Sequence, residues 1–434
     1  MSRVTLSCTV LVIASLSFLC CGGSSPSPLT ARVLASQSVA SATSSPGLLV
    51  INGEYDTLAR AAEISAGGSP GLMVLSPDRS IVLTFDSLSN NVEVISSRTQ
   101  ALAGTIPLLG PTTSMVALSI GSGLAAVPSA PMTTLGLPPG AVQVMNLNAG
   151  GISATLSVPN AQTVVASPDG NHALAFSNDS DVVTVISPLS VNTGNPVTTV
   201  VLGFDRPVYA VFSTDGSTAY VLNCGPECSS ASASASVQTL NMTTLAVGTP
   251  IPVDGATIGW LSGSTLYVAG TPTASVSNAA PNNSCTGQDT TATTCGRLDT
   301  IDLGSMTVTG SYLITDGYHD RIDMSVNGQL FIGALTCTNI GDVNNPQGEV
   351  RGCLSIYNST TGAIVIPPDN GDVTGFQGLT SRYVEYVAEG GNLRVYDTLI
   401  DSLLLDNSND PSLPETGTII INGYIIDVKA IDFF

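Results

Sequence analysis

The stretch SPDGNHALAFSNDSDVVTVIS, residues 167–187, combines a tight turn with two short apolar segments. Asp169-Gly170 suits the turn, since Asp tolerates a left-handed backbone and Gly adopts one without steric cost. The two segments are rich in Val, Ala and Ile, and they are short runs of the kind that favours strands. The stretch therefore predicts two adjacent β-strands between turns.

The same pattern recurs along the chain. Residues 71–108 can be laid over residues 163–202, and residues 208–223 with 235–242 form a third copy that an insertion divides. Each copy begins with an apolar strand that ends in S-P-D-R, S-P-D-G or S-T-D-G, and three further strands follow. Four strands in about 40 to 50 residues is the period of a β-propeller blade. With fainter copies included, the first strands are predicted near Leu72, Met115, Val164, Tyr209, Ile258, Ile322, Gly375 and Val428.

The two ends of the chain supply complementary parts of one further blade. RVLASQS, GLLVIN and ARAAEIS near the N-terminus predict second, third and fourth strands, whereas IIDVKAIDFF at the C-terminus predicts a first strand. Pairing between the two ends would close a ring and cover its strand edges. We therefore expect an all-β protein, a single propeller over residues 32–434 with eight four-stranded blades or, alternatively, seven.

The S-P-D-G turns and the strands VVTVIS, NVEVIS and LRVYD resemble the YVTN-type β-propeller repeat family. The resemblance covers most of residues 32–434, and its turn motif is clear at 76–79, 167–170 and 213–216. The WD40 type is disfavoured, because no Trp-Asp signature occurs and Trp260 is the only tryptophan. The resemblance implies a fold rather than a function, since propellers include enzymes, adhesins and scaffolds.

Charge restricts the partners of the chain. The net charge is −20, only 10% of the 434 residues are charged, and Lys429 is the single lysine. Nucleic acid requires clustered cations that displace counterions from phosphates, and adsorption to an anionic bilayer requires a polybasic patch. Neither partner is therefore expected, whereas cations, basic proteins and neutral glycans are compatible with this charge.

The N-terminus predicts export. A short basic start precedes the apolar run Val4–Leu19, and FLCCGGSSPSP follows it. The run is too short and too often interrupted by polar residues for a stable membrane-spanning helix. It resembles a bacterial lipoprotein signal, with residues 1–20 as signal peptide and Cys21 as the lipidated residue, although Phe18 stands where leucine is usual. The resemblance implies a lipid anchor in the cell envelope, at the outer membrane or in the periplasm, and a Ser/Pro-rich tether over 21–45. Ordinary secretion is the alternative.

Six cysteines follow the signal in three local couples, Cys224/Cys228, Cys285/Cys295 and Cys337/Cys353. In an exported chain, an even number of cysteines favours disulfides. Six cysteines permit 15 pairings, so pairing within each couple is predicted from proximity alone. Zinc is the alternative, but CGPEC has three intervening residues and the chain has only two histidines to help.

The couples fall in or beside three insertions, at 224–234, 271–296 and 337–351. Each insertion separates the second and third strands of its blade, the fifth, sixth and seventh. All three are therefore expected on one face of the ring, beside the loops that lead into the innermost strands. Disulfides pre-order such loops and lower the entropic cost of binding, although they also protect exposed loops outside the cell.

Charged side chains occur in the loops that lead into three innermost strands, GFDRP, TDGYHDRID and DNGDV. If they converge at the central funnel, the carboxylates would bind a cation and the histidine would carry protons near neutral pH. The alternative is structural, since Asp, Asn and Gly are what turns require. The candidate funnel residues are Asp205, Arg206, Asp316, His319, Asp320, Arg321 and Asp372.

The leading functional hypothesis is a non-catalytic, lipid-anchored propeller that binds a protein or glycan through its disulfide-bonded loops, without a cofactor or a metal. The competing hypothesis is an enzyme that resembles propeller lactonases or quinoprotein dehydrogenases and uses the funnel carboxylates. A third is a purely structural envelope component. The sequence contains no phosphate-binding loop or H-E-x-x-H motif. Its two histidines lie in different repeats, which gives little support to nucleophilic catalysis.

Overall fold

A computed structural model describes residues 31–38, 47–118, 121–132, 136–189, 195–230, 232, 234–272, 295–337, 340–342, 345–351, 353–367, 371–404, 417–419, 421 and 423–432. In these ranges, eight antiparallel four-stranded sheets form the blades of a ring, and one blade carries an added strand. The fold is therefore a β-propeller with eight blades rather than seven. Within the same ranges, no helix has the length and apolar character needed to cross a membrane.

Strands are numbered in chain order. The first three are β1 (Ala31–Ser38), β2 (Leu48–Asn52) and β3 (Thr57–Ile64). Blade 2 contains β4 (Pro70–Leu75), β5 (Ile81–Asp86), β6 (Asn91–Ser96) and β7 (Ala101–Pro107). Blade 3 contains β8 (Ser114–Ala117), β9 (Ser122–Val127), β10 (Ala141–Asn146) and β11 (Gly151–Ser157). Blade 4 contains β12 (Ala161–Ala166), β13 (Ala173–Ser177), β14 (Val182–Ser187) and β15 (Val197–Leu202).

Blade 5 contains β16 (Pro207–Phe212), β17 (Thr218–Asn223), β18 (Ala235–Asn241) and β19 (Ile251–Val253). Blade 6 contains β20 (Ile258–Ser262), β21 (Thr265–Gly270), β22 (Gly296–Asp302) and β23 (Thr307–Ile314). Blade 7 contains β24 (Tyr318–Met324) and β25 (Gln329–Leu335), then a hairpin of β26 (Ile340–Asp342) and β27 (Asn345–Arg351), then β28 (Leu354–Asn358) and β29 (Ile364–Val365). Blade 8 contains β30 (Val373–Gly378), β31 (Val384–Glu389), β32 (Asn392–Asp397), β33 (Ser402–Leu403) and the added β34 (Thr418–Ile419). The last strand, β35 (Tyr424–Asp432), joins β1, β2 and β3 in blade 1.

The innermost strand of every blade is a first strand that the repeat predicted. β4, β8, β12, β16, β20, β24, β30 and β35 each contain one of the eight predicted positions, and neighbours among them contact each other around the ring. The ring closes as expected, because β1 pairs with β35 from Ala31↔Asp432 to Ser38↔Tyr424. Blade 1 is thus built from two distant parts of the sequence.

Packing between blades explains the apolar runs. In β14, the four central residues of VVTVIS are buried, and all six residues of β9 are buried, because neighbouring blades cover both faces. The outermost strand β15 is mostly exposed. Between blades 7 and 8, the rings of Phe331 and Tyr396 are fully buried and lie 6.1 Å apart. The core is therefore divided into layers between adjacent blades.

The S-P-D turn is held by its own side chains. Asp169 accepts a hydrogen bond from Ser167 Oγ, which in turn accepts one from His172 N at 3.0 Å. Gly170 has φ 68°, the left-handed conformation that the sequence predicted. In a second copy, hydrogen bonds from its neighbouring serines lower the pKa of Asp215 to about 2. The motif is therefore structural, since its carboxylate closes the turn between the first two strands.

Carboxylates of β35 connect this closing strand to both neighbouring blades. Asp432 Oδ2 accepts hydrogen bonds from Thr380 N at 2.5 Å and Thr380 Oγ1 at 2.9 Å, in blade 8. Arg79 in blade 2 donates to Asp432 Oδ1 at 3.2 Å. Asp427 Oδ2 accepts a hydrogen bond from Met73 N, also in blade 2, at 2.8 Å. Blade 1 is thus fixed on both sides.

Candidate functional site

The insertions of blades 5, 6 and 7 lie between the second and third strands, as predicted. Cys224 is bonded to Cys228 and Cys337 to Cys353, which confirms local pairing for these two couples. The bonded sulfurs do not fit the zinc alternative, because zinc requires free thiolates. Cys295 is also disulfide-bonded, and its predicted partner Cys285 lies outside the described residues.

We call the side of the ring that carries Cys224–Ser230 and Thr271 the stapled face. Thr271 N, in blade 6, donates to Glu227 Oε2 in the blade 5 insertion at 2.8 Å. Thr271 Oγ1 donates to Gly317 O, directly before the innermost strand of blade 7, also at 2.8 Å. One residue therefore connects three consecutive blades, and the blade 5 insertion is fixed against its neighbours.

Glu227 is a polar residue of this face that the sequence did not single out. It lies in a 3-10 turn over Gly225–Cys228, and burial raises its pKa to about 7 against the opposing hydrogen bond from Thr271 N. In the sequence, Glu227 is the one carboxylate between Cys224 and Cys228 in CGPEC. Its position in this short disulfide loop is the signal by which it could have been found.

Two predicted funnel residues make polar contacts with neighbouring loops. Asp205 Oδ1 accepts a hydrogen bond from Ser230 Oγ at 2.5 Å, which fixes the end of the blade 5 insertion. Arg206 lies 3.6 Å from Asp179 and 3.8 Å from Asp181, two carboxylates of the loop between β13 and β14. The expectation that both face the central cavity is therefore wrong for Asp205, which is held by the blade 5 insertion, whereas Arg206 lines a smaller hollow beside the cavity.

Three further candidates lie away from the central cavity. His319 is 0% exposed. Burial lowers its pKa to about 4, although a hydrogen bond with the Thr315 backbone has the opposite effect. The prediction that His319 is an accessible proton carrier is therefore wrong. Asp372 Oδ1 accepts a hydrogen bond from Thr336 N at 3.1 Å, which connects blades 8 and 7. Asp316 precedes β24 and is absent from the residues that line the cavity.

Asp320 and Arg321 are the two predicted funnel residues that line the central cavity, which has a volume of about 880 Å³. A bulge in β24 lies between His319 and Arg321, and the residues Asp320 and Arg321 beside it both line the cavity. Arg321 Nη1 donates to Asp320 Oδ2 at 2.9 Å, and Nε donates to Thr374 O at 2.7 Å. Burial raises the pKa of Asp320, and Arg321 opposes this effect.

Similar irregularities occur near the beginning of other innermost strands. The register shifts within β4, β12, β16 and β30, as it does within β24. At a bulge, the alternation of side chains between two sides is interrupted. The period-2 pattern of the sequence therefore does not predict which side chains face the cavity at this end of the ring.

The cavity reaches the stapled face. A second hollow of about 310 Å³ lies there, and it shares Asn178, Val208 and Tyr318 with the cavity. Tyr318 is 43% exposed, and Arg206, Cys228 and Ser229 belong to the smaller hollow. The two spaces are therefore continuous at the mouth of the ring.

An acidic pair that the sequence did not predict lies between blades 7 and 8. Glu385 is 0% exposed, and burial together with the neighbouring Asp323 raises its pKa well above the usual range. Burial also raises the pKa of Asp323, whose carboxylate accepts hydrogen bonds from Gly378 N at 3.2 Å and Met324 N at 2.9 Å. Glu385 is therefore the member of the pair that retains its proton most strongly.

Comparison with known proteins supports the fold. No protein family matches the chain in sequence, and no curated protein matches it. The chain is similar to the structure of dihydro-heme d1 dehydrogenase NirN in complex with DHE, with a TM-score of 0.58 and 11% identity over 93% of this chain and 75% of that chain. A putative 6-phosphogluconolactonase from Bacteroides fragilis NCTC 9343 gives a TM-score of 0.52 and 12% identity over 94% and 99% of the two chains. The β-propeller domain of Myceliophteria thermophila Cps50 (Swd1) gives a TM-score of 0.50 and 11% identity over 75% and 95%. At these identities, the likeness defines the class of the fold, a β-propeller, and nothing finer.

Proposed function

We propose that the protein is a non-catalytic binding propeller of the bacterial cell envelope, which engages a protein or glycan partner through the stapled face. The two described disulfides are typical of chains that fold outside the cytoplasm, and they support export. Membrane attachment through a lipid on Cys21 is part of the proposal and comes from the sequence, since Cys21 lies outside the described residues.

The bridging contact of Thr271 is the observation that carries the proposal. It fixes the disulfide-bonded insertion of blade 5 to blade 6 and to the first residues of blade 7. A flexible loop must be ordered when a partner binds, and this ordering opposes association. A loop that is already fixed by a disulfide and by neighbouring blades avoids most of that cost, so this face is suited to recognition.

The competing enzyme hypothesis has less support. It required the carboxylates of Asp205, Asp316, Asp320 and Asp372 to converge as metal ligands. Of these four, only Asp320 lines the cavity, and no cluster of three or more potential metal ligands occurs in the ranges that the structure describes. The structural neighbours include proteins named as enzymes, but at 11% and 12% identity their activities are not transferred to this chain.

Site-specific photo-cross-linking in cells is the experiment that tests the proposal. A photoreactive phenylalanine analogue at position 318 should yield adducts with a partner, because Tyr318 lies at the mouth of the stapled face and is 43% exposed. The matched control is the same substitution at Tyr383, which is 53% exposed and lies between β30 and β31, on the opposite face. Equal adducts at both positions, or none at position 318, would contradict the proposal.

Two further variants separate the parts of the proposal. Replacing Cys224 and Cys228 with alanine should reduce adducts at position 318 by about tenfold, because the loop that holds Glu227 loses its constraint. Replacing Cys21 with alanine should abolish incorporation of a labelled lipid precursor and release the protein from the membrane fraction. A Cys21→Ala protein that keeps its label would show that the anchor assignment is wrong while leaving the binding face unaffected.

A further inference from the structure

We propose that the central cavity binds a neutral saccharide, with Asp320 and Arg321 as its polar contacts and with the aromatic side chains of Trp260 and Tyr209, which line the same cavity, as its apolar contacts. This inference rests on the proposed function, because the cavity opens on the face through which a partner is engaged. It selects a glycan, rather than a protein, as the group that enters the ring.

Asp320 provides the first observation. Its Oδ2 is paired with Arg321, whereas Oδ1 is buried and accepts no hydrogen bond from another residue that the structure describes. A buried acceptor without a donor is unfavourable, and a ligand that supplies one removes this penalty. Sugar hydroxyl groups are neutral donors of the required kind. The Asp320 side chain is 23% exposed, so a small rotation of its carboxylate would present Oδ1 to one of them.

The charge of the pair selects the class of saccharide. Arg321 is fixed by its bonds to Thr374 O and Asp320, and its side chain remains 32% exposed, so the guanidinium can donate to ring or hydroxyl oxygens. Together, Asp320 and Arg321 are electrically neutral. An anionic sugar would meet the carboxylate, and a cationic sugar would meet the guanidinium, so a neutral sugar avoids both repulsions.

Aromatic side chains provide the second observation. Trp260 in β20 and Tyr209 in β16 are both half-buried and both line the cavity. Trp260 and Tyr209 also pack against one hydrophobic cluster between blades 6 and 7, which fixes the positions of their rings. Rigid aromatic rings offer large apolar surface at low entropic cost, and the C–H faces of pyranose rings pack on such surfaces.

The dimensions agree with this assignment. The cavity volume of about 880 Å³ lies within the usual range of small-molecule sites. Its lining is mixed, with apolar side chains such as Leu72, Met115 and Ile322 on three different inner strands and polar groups between them. A pocket of this composition orients one face of a sugar by polar contacts and covers the other by apolar ones.

Fluorescence provides a direct test, because Trp260 is the only tryptophan of the chain. The exported domain is titrated with glucose and N-acetylglucosamine, and with glucuronic acid and glucosamine as charged counterparts. Saturable change of the tryptophan emission is expected for at least one neutral sugar. The two charged sugars should bind at least tenfold more weakly.

Variants assign the signal to the cavity. Asp320→Asn should weaken binding of the neutral sugar about tenfold, since the charged acceptor is lost. Asp302→Asn changes a carboxylate of the turn between β22 and β23, which accepts a hydrogen bond from Ser305 Oγ and does not line the cavity, so it should leave the affinity unchanged. If Asp320→Asn does not fold, Arg321→Lys replaces it, with binding followed by saturation-transfer difference NMR and folding checked by circular dichroism.

The outcomes distinguish this inference from the proposed function. Lack of saturation with both neutral sugars, or tighter binding of a charged one, would overturn the saccharide assignment. Adducts at position 318 in that case would leave the stapled face as a binding surface for a protein partner. Sugar binding without adducts at position 318 would instead support the cavity site and contradict the proposed role of the stapled face.

Discussion

Replacing Asp432 with alanine is expected to lower the free energy of unfolding by about 3 to 5 kcal/mol, the usual cost of removing one partner from a buried charged network. The carboxylate accepts hydrogen bonds from Thr380 and Ser381 in blade 8 and binds Arg79 in blade 2, and its side chain is 2% exposed. Its loss leaves backbone amides of blade 8 without their acceptor. The closing strand β35 would then be held less firmly at its end, and the ring would open at a lower denaturant concentration.

Urea denaturation, followed by circular dichroism, measures this effect. Asp181→Ala is the matched control, because Asp181 also binds an arginine, Arg206, but is 65% exposed and lies 3.8 Å from it. Such surface pairs contribute about 1 kcal/mol or less. If the two alanine variants lose the same stability, the connection made by Asp432 between blades does not hold the ring closed.

Replacing Glu385 with glutamine is expected to remove a pH dependence of stability. The pKa of Glu385 is raised well above its ordinary value of 4.5 by burial and by Asp323. The folded protein therefore binds a proton that the unfolded chain releases above pH 4.5, so the contribution of this group to stability falls as pH rises. The slope is up to about 1.4 kcal/mol per pH unit for one proton. Glutamine does not titrate, so the stability of Glu385→Gln relative to the native protein should rise between pH 5 and pH 7.

The measurement is the free energy of unfolding at several pH values. For Asp215→Asn, the stability relative to the native protein should change with pH in the opposite direction, because hydrogen bonds lower the pKa of Asp215 to about 2 from its ordinary 3.8. Its ionised form stabilises the folded state above pH 3.8, and that contribution is lost as pH falls towards 2. A flat difference between native protein and Glu385→Gln across pH 5 to 7 would show that Glu385 is not the group that takes up the proton.

Local sequence patterns were sufficient to predict the fold. The S-P-D-G turn is closed by side chains two residues apart, such as Ser167 and Asp169, and the middle strands are covered on both faces, so turn and strands are visible in one short stretch. The closing pair β1 and β35 could be inferred because each end of the chain holds the strands that the other lacks. These features depend on neighbours in sequence or on a repeated unit.

The candidate site depends on contacts between blades, and these are not visible in one repeat. Asp205 and Arg206 occupy the predicted loop, but Ser230 from an insertion and Asp179 from the preceding blade determine their directions. His319 is buried while Asp320 and Arg321 both line the cavity, next to a bulge that shifts the register of the strand. No period in the sequence predicts which residue stands at such a bulge.

The bulges near the beginnings of innermost strands separate the part of each strand that pairs regularly from the part where the pairing is interrupted. Beyond each bulge, as at Met73–Leu75 in β4, pairing with the second strand is regular and maintains the blade. At the bulge itself the ladder is already interrupted, and residues that stand there, such as Gln162, Val208 and Asp320, line the cavity. An eight-fold ring that keeps one architecture can therefore acquire a new lining at its mouth by single substitutions, and related rings can differ in what they bind while remaining alike in shape.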